Sequence, residues 1–133
     1  MAAAASNTQL QAAFNDHLKE TQNQVKRLEQ VFAQLSVTPG GTTCKGMKGL
    51  LLEGQEMIKA KGEPAAIDAG LIAASQRVEH YEIAGYGCVS AYARQLGETE
   101  ALSLLQQTLD EEANTDQQLT RLAEQVINLE AEV

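Results

Sequence analysis

Seven ionisable side chains stand at helical spacing in three separate stretches: His17 and Glu20; Glu79, His80 and Glu82; Glu112 and Asp116. Glu82 falls within the apolar series Ile67, Leu71, Ala74, Val78, Gly85, Val89, Tyr92 and Leu96, where a helix face calls for an apolar residue. Glu112 and Asp116 replace the middle members of Leu102, Leu105, Leu109, Leu119, Ala123 and Val126. His17, Glu20 and Gln24 adjoin the main stripe of the first helical stretch. A carboxylate on a core face is costly unless it is paired or coordinated. Two bare carboxylates one turn apart repel each other and resist ionisation, and a divalent cation removes both problems. Glu, Asp and His together make a hard, oxygen-rich ligand set of the kind that suits iron or manganese. The Glu-x-x-His pattern typical of dinuclear carboxylate bundles is absent, since Asn23 and Thr115 stand three residues after Glu20 and Glu112. The residues are therefore specific for inward-facing acids and weak on metal identity. The plainer alternatives are a solvated flank for His17, Glu20 and Gln24, and a hydrogen-bonded or ion-paired set of acids with Arg77 and Arg94 as cations.

Long helices must carry these groups. Ser6-Asn7-Thr8-Gln9 reads as a capping box with Ser6 as the N-cap. Leu10, Phe14, Leu18, Thr21, Val25, Leu28, Phe32 and Leu35 then predict a helix about 42 Å long. Residues 36–43 form a loop around Pro39-Gly40-Gly41. A short helix from about Cys44 to Lys61, capped by Thr42 or Thr43, crosses the bundle and resets the chain direction. Pro64 opens a central helix that ends at Leu96 with Gly97 as its stop. Gly85 and Gly87 inside it predict a close helix contact or a local distortion. The last helix runs from Glu98 or Thr99 to about Leu129. Met47 and Met57 read as gap-fillers and Cys88 as a small buried hydrophobe.

The 133 residues are read as one domain, with residues 1–6 a flexible end and 7–133 the helical body. A formal charge of −8 argues against nucleic acid and anionic membrane as partners. No apolar run approaches the roughly 20 residues that span a bilayer. The first five residues lack the basic start of a secretory signal. Cys44 and Cys88 make no disulfide framework and read as reduced thiols of a cytoplasmic protein.

The segments His17–Thr21, Val78–Gly87 and Leu109–Asp116 resemble those of the bacterial YciE/YciF family, and the likeness runs from about Leu10 to the C-terminus. That resemblance implies an all-α, ferritin-like antiparallel bundle with three long helices and a short crossover helix. It implies a dinuclear iron or manganese site and an association with stress responses. Carried over residue by residue, Glu20, Glu79, Glu82 and Glu112 are the first ligands, then Asp116, then His17 and His80; Glu112 over Glu111 rests on the stripe count. The family has a further helix, with a further glutamate, ahead of the one that holds Glu20. Without it an apolar flank is left open, and a homodimer or larger assembly is the expected cover.

Two functions follow. One is a metal-binding redox protein that oxidises iron or reacts with oxygen or peroxide, with Tyr81 or Tyr86 as hydrogen-bond donors behind the ligands or, more plainly, packing residues. The other is a non-enzymatic dimerisation or scaffold module with a degenerate metal site. Hydrolase chemistry lacks a base beside either cysteine, and no phosphate-binding glycine loop precedes a helix.

Overall fold

The computed structural model describes residues 1–132, and all regular structure in them is helical. Helix α1 spans Thr8–Gln34, α2 Lys45–Lys59, α3 Pro64–Leu96 and α4 Thr99–Leu122. Helix α4 continues through a widened π turn, Ala123–Ile127, into a last short α segment, Asn128–Glu130. The expected three long helices and short crossover are present. Ion pairs and core contacts align α1 with α4 in opposite directions, since Leu10 meets Ile127 and Val31 meets Ala101. Helix α3 packs antiparallel to α4 across a tight turn at Gly97-Glu98, and α2 lies along the outer side of α3.

The helix ends follow local chemistry. Asn7, not Ser6, caps α1, and its side chain accepts from the N–H groups of Gln9 and Leu10. Ser6 is drawn away because the buried Asp68 of α3 accepts from its N–H at 2.8 Å and its hydroxyl at 2.7 Å, and from the Asn7 N–H at 2.7 Å. Ala2–Ala4 form one 3-10 turn, and Ala5 is buried. Cys44, rather than either threonine, caps α2. Pro64 holds the first turn of α3, and Gly97 closes it in the left-handed region at φ 76°. The Glu98 N–H then reaches back to the Ala93 carbonyl at 2.9 Å.

The core is divided. Leu10, Phe14, Leu71, Ile72, Leu119, Ala123 and Ile127 form an apolar cluster at one end, and Val31, Ala93, Ala101 and Leu105 form another at the opposite end. Between them lies a belt of buried polar residues: Gln24, Ser75, Glu79, Thr108, Glu112 and Thr115. The π turn delays the phase of α4, so Ile127 rather than Val126 is the fully buried residue that joins the cluster of Leu10 and Leu119.

Four expectations about faces are corrected, the first being Cys88, which lies exposed on α3 rather than buried. Leu18 and Val25 are 55% and 54% exposed, and the buried face of α1 is the neighbouring one, Leu10, Phe14, Gln24 and Val31, with His17 on it. On α3, Tyr92 and Leu96 are 65% and 75% exposed, while Ser90 and Ala93 are the buried residues of that stretch. Gly85 and Gly87 lie in unbroken helix with open space where a Cβ would project. The close approaches are elsewhere: a Cβ on Gly46 would meet the Tyr81 ring at 2.7 Å, and one on Gly70 would meet the Met57 sulfur at 2.5 Å.

Candidate metal site

The polar belt places one side chain from each long helix at a common point. His17 comes from α1, Glu79 from α3 and Glu112 from α4, and a ligand atom of each lies within 4.8 Å of the other two. Glu79 is 1% exposed and Glu112 fully buried. His17 Nε2 is 3.2 Å from Glu79 Oε1, which also accepts from the Ser75 hydroxyl at 3.2 Å. Glu79 Oε2 and both carboxyl oxygens of Glu112 have no ordinary hydrogen-bond donor. Buried polar atoms are rarely left so, and each demands a proton or a cation.

The electrostatics indicate what happens when the partner is a proton. Burial works against a charged His17, yet the hydrogen bond and charge of Glu79, with Glu112 and Glu20 adding, raise its pKa to about 9. Burial likewise disfavours ionised Glu79, but the His17 hydrogen bond and contact with Glu112 hold it below the usual carboxylate range. Glu112 is pushed up to about 9 by burial first, then by Glu79 and the charge of Glu82. Near neutral pH the three read as an imidazolium, a carboxylate and a carboxylic acid that donates to that carboxylate. Their charges sum to zero in the middle of the bundle.

The other expected ligands lie outside this group. Glu20 sits at the rim, its Oε2 3.3 Å from the Thr115 hydroxyl and 3.5 Å from His17 Nδ1. Glu82, one turn after Glu79, has a raised pKa from burial and from Glu79. It borders a cleft of about 360 Å³ with Leu28, Tyr81, Tyr86 and Val89. Tyr86 is pushed to about 12 by burial and by Glu82 and Glu112, so it stays a neutral phenol. His80 is on the surface, 3.2 Å from Asp116 Oδ1, and Gln76 also donates to Asp116 at 3.0 Å. Arg77 and Arg94 make no ion pair among the described residues. Glu111 faces Arg27 instead of the group, in a two-pronged pair with both N–O distances 2.8 Å. Arg27 also donates to the Thr108 hydroxyl at 2.6 Å.

Ser75, Thr115 and Arg27 complete the site's surroundings and are absent from the ligand reading of the sequence. For Thr115 the signal is spacing: Ala101, Leu105, Thr108, Glu112, Thr115 and Leu119 step by 4 and 3 as regularly as the more apolar series beside them. A cavity of about 540 Å³ reaches the group from the side, between α1 and α2, with Phe14, Leu18 and Leu51 on its walls and His17, Ser75 and Glu79 at its inner end.

Comparison with known proteins gives consistent relatives. The family described as "Domain of unknown function (DUF892)" matches residues 1–132. Protein YciF of Escherichia coli (strain K12) is 44% identical over 133 residues, which is 99% of this chain and 80% of that protein. The crystal structure of the E. coli stress protein YciF superposes with a TM-score of 0.90, covering 96% of this chain and 80% of that one. A structure of YcfI from Rhodopseudomonas palustris has a TM-score of 0.85 at 37% identity, covering 90% of this chain and 76% of that one.

Proposed function

The chain belongs to the DUF892/YciF family, and from that premise we propose that it is a ferritin-like metal-binding protein of the stress response, with His17, Glu79 and Glu112 holding iron or manganese. The observation that carries this is the set of three orphaned carboxylate oxygens facing one imidazole nitrogen inside the bundle. Two carboxylates and one imidazole fit a divalent transition ion and leave coordination positions free. A second ion, as in a dinuclear centre, would draw on Glu20 and Glu82, the acids flanking the group. When bound, such an ion supplies one-electron redox chemistry. The chain's own residues hold it, keep its interior side dry with the two apolar clusters, and leave a side cavity for a small reactant. The stress role comes from the description of YciF.

A second copy of the chain is part of this proposal. Leu18 and Val25 on α1 and Val89, Tyr92 and Leu96 on α3 are exposed, and a second copy covering them would remove that apolar surface from water. Among the described residues no helix is long and apolar enough to cross a membrane, and both cysteines are free thiols, as a cytoplasmic protein would have.

The test is elemental analysis of protein purified without chelators, followed by anaerobic titration with Fe²⁺ and Mn²⁺. Tight binding of one or two ions per chain, lost on EDTA treatment, is expected. No uptake and a melting temperature indifferent to EDTA would reject the reading. That outcome would favour the scaffold alternative, for which the self-neutralised hydrogen bonding of His17, Glu79 and Glu112 is the supporting observation.

A further inference from the structure

We propose that Thr115 is the positioning residue of the metal group: its hydroxyl accepts a hydrogen bond from Nδ1–H of His17 and so presents Nε2 to Glu79 and Glu112. The inference rests on the metal reading above and adds a residue with no metal-ligating atom of its own in the group.

An imidazole binds a metal through a nitrogen that carries no proton, so the proton must sit on the other one. His17 offers its two nitrogens to different surroundings. Nε2 points into the group, 3.2 Å from Glu79 Oε1. Nδ1 points toward α4 and lies 3.2 Å from Thr115 Oγ1. The direct separation of Nδ1 from Glu20 Oε2 is 3.5 Å, beyond a good hydrogen bond. Thr115 is thus the nearer partner.

The hydroxyl has one proton, and it lies 3.3 Å from Glu20 Oε2. A carboxylate only accepts, so Thr115 donates to Glu20 and keeps a lone pair for His17. The chain of donors runs one way, from His17 Nδ1–H to Thr115 O–H to the Glu20 carboxylate. The opposite arrangement, with Thr115 donating to Nδ1, would give up the Glu20 contact and put the ring proton on Nε2. That tautomer cannot ligate through Nε2, the nitrogen that faces Glu79. Thr115 is nearly buried and follows Glu112 by three residues on α4, so one helix turn carries both a ligand and the group that orients another ligand. Partners of this kind commonly change metal affinity by about 10–100-fold.

The experiment compares Thr115→Val and Thr115→Ser with the unaltered protein. Valine keeps the shape and removes the hydroxyl; serine keeps the hydroxyl. Zn²⁺, which is diamagnetic, is the titrant, and binding is read by calorimetry. Long-range ¹H–¹⁵N spectra report which His17 nitrogen carries the proton and how fast it exchanges with water. Thr115→Val should bind Zn²⁺ about 10–100-fold more weakly and lose the protected Nδ1 proton, and Thr115→Ser should restore both. Equal affinity in Thr115→Val and the unaltered protein overturns the inference. So does a serine variant as weak as the valine one, because that would make the role steric. If the unaltered protein itself binds no Zn²⁺, the metal reading fails. Exchange of the Nδ1 proton with water then still decides the hydrogen bond: exchange as slow in Thr115→Val as in the unaltered protein overturns the assignment, and faster exchange there with recovery in Thr115→Ser sustains it.

Discussion

Nε2 of His17 on α1 stands 3.2 Å from Oε1 of Glu79 on α3, and this contact joins two helices at the level where the apolar core is interrupted. In the metal-free protein it is a charge-assisted hydrogen bond. On the metal reading, a divalent ion held here would take both as ligands. Much of the expected behaviour follows from the exchange of one state for the other.

Glu112→Gln separates the two states. The amide can still donate to Glu79, as the carboxylic acid does, but it cannot supply a negative ligand. The variant should match or exceed the unaltered protein's metal-free melting temperature at pH 8, because a buried acid has been removed. At 100 times its dissociation constant a metal stabilises the unaltered protein by about 2.7 kcal/mol, and the variant should show none of this. Differential scanning calorimetry with and without Mn²⁺ measures it. A variant stabilised by Mn²⁺ as fully as the parent would remove Glu112 from the site.

Metal uptake should release protons. His17 and Glu112 both have pKa values raised to about 9, so near neutrality each surrenders one when the ion enters. One divalent cation then replaces two protons, and the buried charge is unchanged. Affinity should rise with pH, its logarithm gaining close to two for each unit below about 9. Titration calorimetry in buffers of different ionisation enthalpy counts the protons directly. A count near zero at pH 7 would contradict the protonated metal-free state.

Stability of the stripped protein should fall as pH rises. His17 has its pKa raised from 6.5 to about 9, so its stabilisation is complete below 6.5 and is lost as pH passes through 9. Glu112, raised from 4.5 to about 9, adds a cost that grows over that interval. Glu79 acts oppositely, since its lowered pKa makes a contribution that is present above 4.5 and lost toward acid. Urea denaturation of chelated protein should therefore show a maximum near pH 4.5, a decline above it and a steeper decline from 6.5 to 9. A rise over pH 6.5–9 would be incompatible with these shifts.

Glycines on α3 and α2 should respond in opposite directions. Gly85→Ala meets nothing within 4 Å and should stabilise by about 0.5–1 kcal/mol through helix propensity. Gly46→Ala places a methyl against the Tyr81 ring and should displace the ring or separate α2 from α3. Denaturation midpoints give the sign of each change, and equal effects would refute the placement of α2.

The protein should be dimeric at micromolar concentration, with Leu18, Val25, Tyr92 and Leu96 covered. Light scattering gives the mass. Leu18→Asp with Val25→Asp should shift it to monomer while leaving helicity intact. A monomeric parent would show that the bundle tolerates this open apolar flank.

The sequence reveals helix ends better than helix faces. Pro64 and Gly97 bound α3 as expected, because their backbone geometry is decided locally. Faces depend on neighbours. On α1 the series through Leu18 and Val25 and the series through His17 and Gln24 are equally regular, and only tertiary packing selects the second. Apolar weighting picks the wrong one because the interior here is partly polar. Glu112 is found by either count, since the competing series on α4 share it. Thr115 is visible only as a residue that fails to be a histidine, and its hydroxyl acquires meaning only once His17 is seen beside it.

The interruption between the two apolar clusters has a mechanical consequence. A bundle with one continuous core opens from its ends, where helices fray. This one has its greasiest grip at each end and a hydrogen-bonded waist, so its weakest section in the absence of metal is mid-height. An ion held there by His17, Glu79 and Glu112 would act as a girdle at that section. Loading would turn the most compliant cross-section into the stiffest one, and the three helices would stop moving as separate rods.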